Sequence, residues 1–227
     1  MSSPYTEKRD LTQAVSVSCL GHAMFLLEDG EGHRLVTDPY AEGVGYSLPD
    51  IEADIVLVSH DHFDHSNVGL VKGSPIVIRD AAPREVEGVK IRGFPTFHDT
   101  GGGAERGSNI AYRWEMSGMT FMHLGDLGHV LQEDVAAELA GTDVLFIPVG
   151  GTFTLDDSGA AQVVEAIAPR IAIPMHFRNA ACTFPIQTEE PFAARFKSVE
   201  RTGKSPVYLS SERLPEPTLI LVMDYLS

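Results

Sequence analysis

Asp54-Ile55-Val56-Leu57-Val58-Ser59-His60-Asp61-His62-Phe63-Asp64-His65 is the stretch that decides how this chain is read. Its opening is an apolar run rich in β-branched residues, the pattern of a fully buried strand. The run stops at a loop with four metal-binding side chains in six positions, H-x-H-x-D-H. A buried strand fixes the base of such a loop, and the loop can curl until imidazoles and carboxylate converge. That donor set suits zinc, iron, manganese, cobalt or nickel. A surface turn rich in histidine by accident explains it poorly, because His is rare and the spacing is that of ligands. The internal position argues against a purification tag.

The 227-residue chain is 43% hydrophobic and reads as one domain, 1–227, with residues 1–12 a loose polar arm. Its formal charge of −15 argues against nucleic acid and anionic membrane as partners, both of which need positive patches. A small-molecule substrate is expected instead. Cys19 and Cys182 are far apart and outside any CxxC motif, so both read as small buried hydrophobes. The first ten residues lack an apolar signal core, and no run is long enough to span a bilayer. A cytoplasmic location is the expectation.

Strands are expected at 15–20, 24–27 and 34–37, with Asp29-Gly30 as a hairpin turn. Further strands are expected at 54–58, 74–78, 86–91, 94–97, 109–115, 119–124, 143–149, 171–175, 207–209 and 218–223. Helical patterns cover 132–140, 158–168 and 190–202. Gly101-Gly102-Gly103 reads as a flexible loop, since no helix pattern follows it. Hairpins in the first half and strand–helix alternation in the second fit a two-layer sheet core with helices outside.

Four side chains in one loop are crowded enough to suggest two metals, and two metals need more donors. His98, Asp126 and His176 each follow an apolar run. If neighbouring strands point the same way, their ends meet on one sheet edge, where sites on α/β sheets collect. Asp126 is followed and preceded closely by glycine, which permits close backbone approach.

In order and approximate spacing, His60-x-His62-x-Asp64-His65, His98, Asp126 and His176 resemble the ligand set of the metallo-β-lactamase fold superfamily. The likeness runs from Gly21 to about Arg178. Gly21-His22-Ala23, Asp38-Pro39, His123-Leu124-Gly125-Asp126, Ile147 to Thr154 and Ile173-Pro174-Met175-His176-Phe177 are similar to one branch, the ascorbate-phosphate-lactonase-like hydrolases. The resemblance implies an α/β fold, an αβ/βα sandwich of two mixed β-sheets face to face with helices on both outer sides. It implies that His60, His62 and His98 hold one ion, that Asp64, His65 and His176 hold a second, and that Asp126 bridges them. Asp38 resembles the acid that orients a ligand His through its other nitrogen. The branch also points to a homo-oligomer.

The expected cofactors are two divalent ions, zinc first, with manganese, iron or nickel as alternatives. Such a pair, roughly 3.5–4 Å apart, shares a water and lowers its pKa, giving a hydroxide for a small ester, lactone or phosphorylated substrate. Asp64 is then a candidate proton acceptor. His22 and His129, near strand ends, are candidate catalytic or supporting groups. Arg106 and Arg178 are candidate anion contacts, and Thr152-Phe153-Thr154 a candidate pocket wall. His123 reads as buried structure and His33 as an exposed turn. The competing readings are a phosphodiesterase of the same fold, an iron redox protein, and a metal-binding sensor without catalysis. The sensor would want a closed four-ligand site, which seven candidate donors do not resemble.

Overall fold

The computed structural model describes residues 3–7 and 14–226. The first strands, β1 (Val15–Gly21), β2 (Met24–Glu28) and β3 (Arg34–Thr37), form an antiparallel meander. Next come β4 (Ile51–Glu52), β5 (Ile55–Leu57), β6 (Val71–Lys72) and β7 (Ile76–Ile78). β5 and β7 add to β3 in parallel, and parallel strands covered on both faces need the unbroken apolar run seen at 55–58. β8 (Arg84–Val86), β9 (Val89–Phe97), β10 (Ser108–Met116) and β11 (Met119–His123) return to antiparallel pairing. The remaining chain alternates through α1 (Glu133–Leu139), β12 (Val144–Pro148), α2 (Asp157–Ile167), β13 (Ile171–Met175), α3 (Glu190–Ala193), β14 (Val199–Arg201), β15 (Val207–Leu209) and β16 (Leu219–Val222).

All of these strands but β4 and β6, which pair with each other as a ribbon, make two mixed sheets, ordered β15-β1-β2-β3-β5-β7 and β14-β16-β13-β12-β11-β10-β9-β8. Their facing sides share one core, which includes Phe25, Leu35, Leu57, Trp114, Phe121 and Phe146. The Phe25 and Phe146 rings meet across the sandwich at 4.4 Å. Behind the eight-stranded sheet, Leu145, Ile147 and Ala172 are covered by Leu139, Val163, Val164 and Phe192 of the three helices. Behind the six-stranded sheet, Met24, Val36 and Val56 are covered by Tyr40, Val44, Tyr46, Cys182 and the β4–β6 ribbon. Among the described residues, no α-helix takes part in that second outer layer.

The pairing directions place the site. β1, β3 and β5 run the same way, and so do β9, β11, β12 and β13. Their C-terminal ends therefore gather at one edge of each sheet. The two edges are tied where the His176 N–H donates to the His22 carbonyl at 3.0 Å.

Several sequence expectations need correction. The strand expected at 86–91 is a hairpin: Glu87 and Gly88 both have positive φ (49° and 84°), a tight two-residue turn that lets β8 pair back on β9. The helix expected at 190–202 stops after one turn, and 199–201 pairs with β16 in parallel. A ladder partner outweighed the local helical pattern. The loose arm expected at 1–12 falls partly outside the described residues. Within 3–7, Tyr5 is buried in the core and its carbonyl accepts from the Tyr208 N–H at 2.8 Å, so that piece is docked.

His33 is half-buried rather than a free turn residue, with Nδ1 2.9 Å from Asp29 Oδ2. That hydrogen bond, against some burial, raises its pKa. A raised imidazole pKa stabilises the fold below the ordinary value near 6.5, and the gain is lost as pH rises through the raised value. Urea melts across about pH 5.5–8.5 should show a fall of at most about 1 kcal/mol from this pair, absent in Asp29→Asn. No helix among the described residues is long and apolar enough to cross a membrane.

Candidate metal centre

The loop after β5 is shaped by a carboxylate from the neighbouring strand. Asp38 follows β3, is 1% exposed and has φ 38°. Its Oδ1 accepts from the Ser59 N–H at 2.7 Å, and its Oδ2 from the Ser59 hydroxyl at 2.6 Å. The same Oδ2 lies 2.9 Å from His65 Nδ1. With its own proton given to Asp38, the Ser59 Oγ is left to accept from His60 Nδ1 at 2.9 Å. Both imidazoles thus have Nδ1 engaged, which turns their Nε2 atoms toward the centre.

Asp126 is where the donors meet. Its Oδ2 lies 3.1 Å from His98 Nε2, 3.3 Å from His65 Nε2, 3.3 Å from His176 Nε2 and 3.9 Å from His60 Nε2. On one side His60 Nε2 sits 3.0 Å from His62 Nδ1, and His60, His62 and His98 form one donor group. On the other side Asp64, His65, His176 and His22 form a second. Asp126 is held by Asn109, whose Oδ1 accepts from the Asp126 N–H at 2.9 Å and whose amide donates to Thr96 and Leu124. Gly125 makes room: a Cβ there would stand 2.3 Å from Asn109 Oδ1, and φ is +55°.

This arrangement suits divalent cations. Ligands bonded at about 2.1 Å to one ion stand roughly 3.0–3.4 Å apart, the spacing found around Asp126. Asp126 Oδ1 and His65 Nε2 are buried and make no hydrogen bond, a costly state that a bound ion relieves. Burial and His65 push the His60 pKa down to about 3, so that ring is neutral and able to ligate. Burial works against the charge on Asp126, yet His176 and His65 hold its carboxyl well below the usual range. Asp64 is likewise depressed, burial being outweighed by the His22 hydrogen bond and by His65.

The centre forms the floor of a cleft of about 480 Å³. Its walls include Phe63, Phe153, Phe184, Pro185 and Arg106. Arg106 is placed by the Gly101–Gly103 loop, which is tied down: the Asp99 carboxylate accepts from the N–H groups of Gly101, Gly103, Glu105 and Arg106 at 2.7–3.0 Å.

Other candidates fall elsewhere. His129 is not in the cleft wall; its Nε2 accepts from the Phe97 N–H at 3.3 Å, bracing the strand before His98. Arg178 donates to the Ile186 carbonyl at 3.2 Å and Thr152 to the Pro185 carbonyl at 3.0 Å. Both hold the loop that carries Phe184 and Pro185, and neither lines the cleft. His123 is buried structure, with Nε2 2.9 Å from the Ala23 carbonyl. Ser59, Asn109, Asp99, Phe63 and Phe184 went unread in the sequence. Only Asp99, before a glycine run, carried a signal, that of an Asx turn.

A family model described as a β-lactamase superfamily domain matches residues 16–176. A metal-dependent hydrolase of Thermococcus kodakarensis is 30% identical over 205 residues, covering 78% of this chain and 89% of that one. One from Pyrococcus furiosus is 31% identical over 194 residues, covering 73% and 85%. Among solved structures, a protein of Thermotoga maritima, described as a candidate zinc-dependent hydrolase of the metallo-β-lactamase superfamily, superposes with a TM-score of 0.77. It is 36% identical, and the match covers 93% of this chain and all of that one.

Proposed function

This chain belongs to the metallo-β-lactamase superfamily of metal-dependent hydrolases, and from that premise we propose that it is a two-metal hydrolase. Its substrate is a small ester, lactone or phosphorylated compound that carries an anionic group. The observation that carries this reading is the single Asp126 carboxylate shared between two groups of imidazoles at the base of a cleft. Two divalent ions held there supply Lewis acidity and bring the pKa of bound water toward neutrality.

The chain's own groups do the rest. Asp64 keeps its charge and stands at the cleft wall, where it can ligate one ion and accept a hydrogen bond from the attacking water. Phe63, Phe153 and Phe184 give the substrate an apolar seat. Arg106, its guanidinium 5.7 Å from the centre of the Phe153 ring, is the cation in the wall and the anchor for a carboxylate or phosphate. Arg106→Ala should raise KM for anionic substrates about ten- to a hundredfold, the worth of a charged hydrogen bond. Neutral esters and metal content should not change; an equal loss on both substrate types would remove Arg106 from recognition.

The reading as a whole is tested on protein purified without tag or chelator. Plasma mass spectrometry should find two divalent ions per chain. A panel of lactones, carboxylate esters and phosphorylated esters should include a substrate whose turnover stops on chelation. One ion per chain would refute the two-metal reading, and full metal with an inert panel would favour a sensor.

A further inference from the structure

One more imidazole reaches the centre than the motif spacing accounts for. We propose that His22 is itself a metal ligand, giving the second ion a nitrogen beyond those of His65 and His176. The inference rests on the two-metal reading and specifies what kind of site the second one is.

Its Nε2 lies 3.2 Å from Asp64 Oδ2, a spacing expected of two adjacent ligands on one ion. It belongs to the same mutually close donor group as Asp64, His65 and His176. Its ring centre is 4.1 Å from that of His176 and 5.2 Å from that of His65. Two backbone features hold it there. Gly21 has φ +112°, and a Cβ would come within 2.6 Å of the Tyr46 ring, so glycine is needed at that step. His22 follows at φ 56°, an uncommon conformation for a residue with a side chain, as does His176 at φ 52°. The His176 N–H to His22 carbonyl hydrogen bond then fixes the two residues to each other.

The bland alternative is an imidazole that only steadies Asp64 from behind. The chain contains an internal standard for a purely structural buried histidine. His123 satisfies both ring nitrogens, one at the Ala23 carbonyl and the other at the Gly125 N–H. His22 does not: its side chain is fully buried, yet Nδ1 finds no hydrogen-bond partner among the described residues. It shares that pattern with His98 and His176, whose Nε2 atoms face a carboxylate oxygen and whose Nδ1 atoms are also unpaired. His22 behaves like the residues that converge on the metals.

The consequence is an asymmetric pair. The first group offers His60, His62, His98 and the shared Asp126, which suits tetrahedral zinc. The second offers Asp64, His65, His176, His22 and Asp126, a set that favours an ion accepting five or six ligands, such as manganese, iron or cobalt.

The test is a cobalt(II) titration of metal-free full-length protein, wild type beside His22→Ala and His22→Gln. Bound metal is counted after gel filtration, and proton NMR reads the hyperfine-shifted ring N–H signals of ligated imidazoles. Both variants should hold the first ion as the wild type does, which also reports an intact fold. The second ion should bind at least a hundredfold more weakly, and the loaded wild type should show one shifted N–H signal more than either variant. Two ions held at wild-type affinity by the variants would overturn the proposal. So would a weakened second ion with an unchanged number of shifted signals, the mark of a group that only positions Asp64. The wild-type spectrum tests the claim without substitution, since the His22 ring N–H must be among the shifted signals. A wild type that binds a single ion refutes the two-metal reading itself, a different failure from the others.

Discussion

Asp126→Ala should strip both proposed ions from the protein and take hydrolysis with them. The carboxylate is 2% exposed, and four imidazole nitrogens from three different segments stand within 3.9 Å of its Oδ2. Removing it leaves each donor group short of an anion and leaves like-charged or unpaired imidazoles facing one another. Losing an outer partner of a metal ligand typically costs ten- to a hundredfold, so loss of the shared carboxylate should exceed about a hundredfold in activity and in affinity for both ions. Stability of the metal-free protein should also fall by about 3–5 kcal/mol, as when one partner of a buried ion pair is removed. Metal counting and thermal melts on the same sample separate the two effects. A variant that keeps both ions at wild-type affinity would end the shared-ligand reading.

Asp38→Asn acts on the same centre from behind. Asparagine keeps the volume and tolerates the left-handed backbone at φ 38°, so the change reports the hydrogen bonds rather than strain. The Ser59 hydroxyl can rotate to accept from the new amide. The His65 ring cannot: if the amide nitrogen takes the Oδ2 place, the Nδ1 proton meets another donor. The ring then moves its proton to Nε2 and withdraws the lone pair that faces Asp126. If the amide turns the other way, the Ser59 N–H, now 2.7 Å from Oδ1, is left facing a donor instead. Affinity for the second ion should drop about ten- to a hundredfold, and the first ion should weaken less, through Ser59 and His60. Isothermal titration with zinc or cobalt reads both sites. Equal affinities in variant and wild type would mean that Asp38 serves only as a turn cap before Pro39.

What could be read from the chain alone was the material of the centre. The β-branched run before Ser59, the dense donors from His60 to His65, and single donors at 98, 126 and 176 are local features, written in consecutive residues or at the ends of apolar runs. The meeting of strand ends at one edge was legible only as a condition, that neighbouring strands run the same way. The tertiary structure alone decided which way each side chain left its strand. His22 was in the sequence as an isolated histidine after a glycine, but its place beside Asp64 depends on φ values at 21 and 22 and on β13 lying across the sandwich. His129, Arg178 and Thr152 had the right chemistry near the right strands, yet their hydrogen bonds to backbone carbonyls and amides turned them to bracing loops. The 190–202 segment had a helical pattern throughout, yet only its first turn is helix, and 199–201 became a strand because β16 offered it a ladder. Ser59 and Asn109 showed nothing unusual until their distant partners came within reach, Asp38 21 positions from Ser59 and Asp126 17 positions from Asn109. Donor identity is a property of residue type and can be listed from sequence; donor orientation is set by hydrogen bonds between distant segments, which exist only once the two sheets have closed on each other.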